Sequence, residues 1–374
     1  MSTPEHDLAF GEDLLRLLAV DDSNLVFSPA GIAAALWMAL CGARGQTAAE
    51  IAAALHLRGP EEAADGLRLL SESVVARPAN GTVLRAPNTM WVQAGMPLRP
   101  EFLAVLRQAA AVSVRDADFH RAAEAARLEI NDLVAKQTED KITDLLSPGV
   151  VDSGTRLVLV NAIYLKAAWV HRFPEQATGD APFHPPAGAP VTAKMMHLTR
   201  ELSYLDGDGY QVVVLPYAGG LAMTIVLPAA ERGRELPSLT RVLAEVRHEA
   251  RPHRVTLALP RFRQSSSFEL IPVLARLGVK QAFGRDADFS GITGAEPLFI
   301  SAVAHKAFID TGEQGTEAAA ATSVVGTAVA WRPPAPAVTM TVDHPFLFVI
   351  SDTGTRLPLF LGRVTDPGQP EGRT

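Results

Sequence analysis

One cysteine, Cys41, stands among 374 residues, so no intramolecular disulfide and no multi-cysteine zinc or iron–sulfur site can form. Its apolar surroundings predict an inert core thiol. Positive charge is also short: 34 Lys plus Arg against 41 Asp plus Glu leave a formal net charge of -7. That balance argues against nucleic acid and anionic membrane partners, which need a basic footprint. Long apolar runs are missing. The stretch Ile32 to Leu40 falls well short of the ~20 residues a membrane span requires, so the chain reads as soluble. Residues 1–10 carry Glu5 and Asp7 and lack the basic start and apolar core of a secretory signal. This favours the cytoplasm if Met1 is the native start, and secretion otherwise.

What is present is an ordinary folding composition. Hydrophobic residues make up 48% and charged residues 20%, which excludes an intrinsically disordered chain. The length allows two or three domains, or one large one with a sizeable core. The first third reads mainly as helix. Leu14, Leu15, Leu17 and Leu18 form an amphipathic stripe, and Ser28-Pro29 ahead of an alanine-rich run predicts an N-cap with proline at the first helical position. Thr47 and Glu50 have capping-box spacing. Helical spacing continues over 61–76, 100–111 and 120–136. After Thr155 come short β-rich runs at 157–160, 212–215, 223–227 and 255–259, and 346–350 with 359–364 read as a terminal hairpin. Helices early and strands late predict an α+β fold on large, mainly antiparallel sheets.

Enzymatic motifs are wanting. There is no Gly-x-Ser-x-Gly elbow and no phosphate-binding loop. His248-Glu249 is followed by His253, one residue too far for a zinc-protease helix and with Pro252 intervening. Asp206-Gly207-Asp208-Gly209 lacks the further ligands of a calcium loop and reads as a polar hairpin turn. No metal, cofactor or catalytic residue is expected.

The odd segment lies between Thr311 and Val342. It opens with Gly312 to Glu317, runs through Ala318-Ala319-Ala320-Ala321-Thr322-Ser323, and ends in the proline-rich Trp331 to Ala337. A loop of roughly 30 residues far exceeds the usual 4–6, and such loops are commonly functional or disordered. Taken alone, the segment reads as readily as a flexible linker, or as a helix over the alanines, as it does as a functional loop.

Several stretches in order resemble the serpins, protease inhibitors that trap their targets by inserting a cleaved loop into a sheet. They are Asn24 to Pro29 with Ile32 to Leu36; Val160 to Lys166 with Trp169 and Phe173; His305-Lys306-Ala307; Glu313 to Ala321; and Asp343 to Phe348 with Pro358 to Val364. Together they span about 10–367. The resemblance implies a single serpin-like domain over 1–374, with an exposed reactive-centre loop at about 313–341. It implies that the target protease attacks this loop as a substrate. The covalent acyl complex is then trapped when the segment from Gly315 onward inserts as a new strand. The inhibitor itself would need no catalytic residue.

The residues suit that task. A segment sliding into a closed seam needs small side chains and no proline, because each residue must join ladders on both sides. Gly315 gives backbone freedom at the pivot. With period-two alternation, Thr316, Ala318, Ala320, Thr322, Val324, Gly326 and Ala328 share one face; Glu317, Ala319, Ala321, Ser323 and Val325 share the other. A strand of about 15 residues would span ~50 Å, enough to carry an attached protease across the molecule.

Counting seventeen residues from Glu313, as in inhibitory serpins, reaches Val329 and places the reactive bond at Val329-Ala330. A small aliphatic residue there suits elastase-like or subtilisin-like proteases. Thr327, Ala328 and Ala330 are neighbouring alternatives, Trp331 comes late, and Pro333 obstructs cleavage after Arg332. By resemblance, Ser28, Asn161 and His305 form a polar cluster under the opening sheet, and Trp169 marks where insertion starts. An exposed ion pair of Glu313 with Arg261 would hold the closed form. The family often has serine where this chain has Gly31. Glu61 to Arg68 is mostly acidic or neutral, so no heparin partner is expected. A monomer is expected, and loop–sheet polymerisation is a hazard that exposed strands and mobile insertion loops bring. The competing expectation is a non-inhibitory serpin acting as carrier, chaperone or storage protein.

Overall fold

A computed structural model describes residues 4–75, 82–229, 237–316 and 337–369. The expected hinge residues Glu317, Ala318, Ala319, Ala320 and Ala321 and the expected bond Val329-Ala330 lie outside the described residues.

The first third carries α1 (Pro4–Leu18), β1 (Leu25–Phe27), α2 (Pro29–Gly42), α3 (Gly45–Ala54) and α4 (Glu61–Val75). Then come β2 (Val83–Arg85), β3 (Asn88–Gln93), α5 (Pro100–Arg107), β4 (Val112–Ala117) and α6 (Phe119–Gln137). The middle holds β5 (Leu157–Ala168), β6 (Gly179–Phe183), β7 (Val191–Gly207), β8 (Tyr210–Tyr217) and β9 (Leu221–Pro228). Next are α7 (Leu239–Glu249), β10 (Arg251–Pro260), β11 (Phe262–Glu269), α8 (Ile271–Arg276) and α9 (Ser290–Thr293). The chain closes with β12 (Ile300–Gly312), β13 (Gly315–Thr316), β14 (Val338–Thr341), β15 (Phe346–Asp352) and β16 (Pro358–Val364).

These strands form two sheets among the described residues. The central sheet runs β11-β12-β13-β5-β3-β4, with β2 also on β5. The second runs β1-β16-β15-β9-β8-β7-β10-β14, with β6 on β7. Most neighbours are antiparallel, but β12–β5, β3–β4 and β10–β14 are parallel. No helix among the described residues is long and apolar enough to cross a membrane.

Burial explains the patterns. α2 is apolar all round because it lies between the sheets, and a helix buried on every side needs no polar face. Its start is as expected: Ser28 Oγ accepts the Gly31 N–H and Pro29 opens the helix. β5 is a nearly continuous apolar run because both its faces are covered. Leu157, Leu159, Ile163 and Leu165 point to α2 and the second sheet. Val158, Val160, Ala162 and Tyr164 point the other way, under Phe119, Ala126, Ile130 and Val134 of α6.

Some expectations change. α3 begins at Gly45 with no side-chain cap, so Thr47 and Glu50 do not form a capping box. Thr47 instead accepts the Asp288 N–H, and Glu50 accepts those of Lys280 and Gln281; tertiary donors outcompeted the local ones. The long loop is also shorter at both ends than the sequence suggested, because Gly315–Thr316 and Val338–Thr341 are strands. Asp206 to Gly209 is the turn between β7 and β8, with Gly209 at φ 82. Cys41 is only partly buried, yet burial still pushes its thiol up to about 11.

Candidate functional site: the seam between β5 and β12

β5 and β12 lie side by side and parallel from Leu157/Ile300 to Tyr164/Phe308. Above Phe308 they part, and β13 fills the gap. Gly312 and Gly315 pair across the two-residue turn Glu313-Gln314, so the chain turns back on β12 as a tight hairpin. On its other side β13 pairs antiparallel with β5, Gly315 with Ala168 and Thr316 with Ala167. The sheet is therefore closed below and already admits two residues at its top.

The upper end is held by Trp169 and its neighbours. The indole Nε1–H donates to Gly312 O at 2.9 Å, the Trp169 N–H to Gln314 O at 2.9 Å, and the Phe173 N–H to Glu313 O at 3.0 Å. Gly315 has φ 143, and a β-carbon there would lie 2.0 Å from Ala167 O, so only glycine can make this turn into the sheet. Glu313 Oε1 accepts from Arg261 Nε at 2.8 Å, from a second Arg261 N–H, and from Thr178 Oγ1 at 2.6 Å. Burial pushes the Glu313 carboxyl up, but those hydrogen bonds outweigh it and hold the group below its ordinary range. The pair differs from the exposed one expected from sequence: the Arg261 side chain is 47% exposed, but that of Glu313 only 7%.

Lower down, the seam is crossed by a polar row. His305 and Asn161 are direct partners across it, and Asn161 faces Asn88 on β3. The Ser28 N–H donates to His305 Nε2 at 3.0 Å, so that nitrogen carries no proton. His305 Nδ1–H then donates to Asn161 Oδ1 at 2.5 Å, and Asn161 Nδ2 donates to Asn88 Oδ1 at 2.5 Å. Asn88 Nδ2 ends the chain on Ala86 O at 2.8 Å and Ala111 O at 3.2 Å. Every member is satisfied, as a buried network requires. Burial drives the His305 imidazole down to about 3, which keeps it neutral.

The structure thus brings Ser28, Asn161 and His305 together, and Trp169, Arg261, Glu313, Gly315 and Thr316 together above them. Sequence reading missed Asn88, Thr178 and Tyr217. Asn88 opens a strand that carries no alternation signal, and its place beside Asn161 depends on strand order. Tyr217 and Thr178 belong to distant segments that meet Thr316 and Glu313 only in the folded molecule.

Comparison with known proteins agrees across nearly the whole chain. A family model described as Serpin (serine protease inhibitor) matches residues 5–367. An uncharacterised serpin-like protein of Thermococcus kodakarensis is 40% identical over 368 residues, 96% of this chain and 84% of that protein. The leukocyte elastase inhibitor of Sus scrofa is 38% identical over 373 residues, 96% of this chain and 97% of its own. Among solved structures, human thyroxine-binding globulin complexed with thyroxine matches with a TM-score of 0.85 at 29% identity, covering 99% of each chain.

Proposed function

The chain belongs to the serpin family, and from that premise we propose that it inhibits elastase-like or subtilisin-like serine proteases by inserting its cleaved loop between β5 and β12. The whole chain acts as one domain, and Val329-Ala330 is the bond offered to the protease. Attack forms an acyl bond between the protease serine and Val329 and releases Ala330 as a new N-terminus. The freed segment then zips downward from Thr316, and the protease is carried off before water can reach the ester.

The observation that carries this reading is a shared register. At the top, Thr316 joins Thr311 to Ala167 and Gly315 joins Gly312 to Ala168; 311 less 167 and 312 less 168 are both 144. In the closed seam His305 faces Asn161 and Phe308 faces Tyr164; 305 less 161 and 308 less 164 are again 144. A third strand can therefore extend downward from Thr316 while the walls only part sideways, by about one strand spacing of 4.7–4.9 Å, and never slide. Followed rung by rung, Ala318 would lie between Ile309 and Leu165, Ala320 between Ala307 and Ile163, and Thr322 between His305 and Asn161. A threonine hydroxyl there can take up the hydrogen bonds that the parted pair gives up. On the opposite face Ala319, Ala321, Ser323 and Val325 would come under α6. The register changes at the irregularity between Ile300 and Ala302, so the matched run ends at Val325.

A carrier role is the second reading, favoured by the thyroxine-binding neighbour and by a mostly apolar cleft of ≈ 310 Å³ that includes Leu8, Val214, Leu243 and Val246. The hinge composition and the shared register favour the inhibitor. Mixing the protein with pancreatic elastase, neutrophil elastase, subtilisin and chymotrypsin tests this. A complex stable to boiling detergent, with a released peptide starting at Ala330, is expected with an elastase or subtilisin. Simple turnover of the loop by all four enzymes, or no reaction, would refute the inhibitor reading.

A further inference from the structure

Tyr217 ends β8 in the second sheet, yet its side chain reaches the top of the central one. Its ring lies flat on Trp169, with centroids 4.0 Å apart and planes 13° from parallel. Its hydroxyl stands 2.7 Å from Thr316 Oγ1, and Thr311 Oγ1 lies 3.4 Å from the same atom. Tyr217 is 2% exposed and Thr316 is fully buried. Burial drives the phenol well above its ordinary range, so it stays a neutral hydrogen-bonding group at physiological pH.

We propose that Tyr217 is a positioning residue for loop insertion: by holding Thr316 as a preformed first rung, it sets the register in which the cleaved strand enters. This rests on the reading that the loop inserts. The backbone walls alone cannot choose a register, because a ladder offers the same donors and acceptors at every step. Strand period is two, so a slip of one residue would turn the opposite face of the strand inward. Here such a slip would bring Glu317 to the buried Tyr217–Trp169 site, and an unpaired carboxylate there is costly. The rung also exists before cleavage, so zipping starts from an ordered strand end and the entropy of capturing a loose one is already spent. Speed matters because insertion competes with hydrolysis of the acyl bond.

Tyr217→Phe keeps the ring on Trp169 and removes only the hydroxyl. The rate of loop cleavage should be unchanged, while the ratio of trapping to hydrolysis, from stoichiometric titration, should fall about fivefold, which is one hydrogen bond of ~1 kcal/mol. Thr316→Val should do the same, Thr316→Ser should behave as the parent, and the Tyr217→Phe/Thr316→Val double variant should be no worse than either single one. An unchanged ratio in Tyr217→Phe, or additive losses in the double variant, overturns the proposal. If Tyr217→Phe does not fold, the Thr316→Val and Thr316→Ser pair carries the test alone, and equal ratios in that pair count against it. If the parent traps no protease, the inhibitor reading has failed. The rate at which loop-cleaved protein gains heat resistance then reads Tyr217 directly: slower in Tyr217→Phe is expected, and equal rates overturn it. A parent that neither traps nor gains heat resistance removes both.

Discussion

Gly31 lies directly against the Asn161 amide: a β-carbon built on it would stand 2.3 Å from Oδ1 and 2.5 Å from Nδ2. Asn161 cannot turn aside, because one end of its amide is held by His305 and the other by Asn88. The glycine leaves the space through which the polar row runs strand to strand. Gly31→Ala and Gly31→Ser should each lower stability by about 1–3 kcal/mol, the usual cost of overpacking a buried site. Denaturant midpoints at neutral pH check this, and parental midpoints for both variants would contradict the geometry.

Acid should weaken the closed seam. Burial holds the His305 imidazole down to about 3, far below its ordinary 6.5. Below pH 6.5 the unfolded chain therefore takes up a proton that the folded chain refuses. Its stabilising contribution is complete above pH 6.5 and is lost as pH falls toward 3. Between pH 7 and 5 the loss should be about 2 kcal/mol. The readout is the parental pH–stability curve minus that of His305→Gln; a flat difference between pH 7 and 5 would show that His305 is not held neutral.

The Glu313–Arg261 pair should matter more than an exposed ion pair, since only the arginine faces water. A double-mutant cycle of Glu313→Gln with Arg261→Met is expected to give a coupling of about 1–2 kcal/mol, above the ~0–1 kcal/mol of surface pairs. A coupling near zero would mean that Thr178 alone holds the Glu313 carboxylate.

Thr316→Arg should turn the inhibitor into a substrate. Thr316 already occupies a buried site between Tyr217 and Thr311, so a guanidinium there must either be desolvated or keep the strand out. Loop cleavage should proceed at the parental rate with little or no stable complex on a denaturing gel. Undiminished complex would mean that insertion does not begin at Thr316.

Much of the fold was legible because local chemistry and final burial agree. Ser28-Pro29 caps α2 as its own residues require, and the apolar runs at 157–160, 212–215, 223–227 and 255–259 all lie in strands. Thr47 with Glu50 shows the limit: the spacing suits a cap, but donors from residues 280–288 bind those side chains instead. The ion pair was foreseen between the right residues and with the wrong exposure. Nothing local tells Glu313 that Thr178 and the end of β12 will cover it.

By itself the amino-acid order determined what a single segment can do. Gly315 can adopt a backbone closed to other residues, the run after it is small enough to enter a seam, and the apolar alternations predict strands. Only the tertiary structure decided what those segments meet. It set β5 beside β12 at an offset of 144, with the same offset in the rung already formed by β13. It also brought Asn88 to Asn161 and the Tyr217 hydroxyl to Thr316. The physical reason is that backbone ladders form equally well in any register. The choice among registers comes from side chains far apart in sequence, packed into one core.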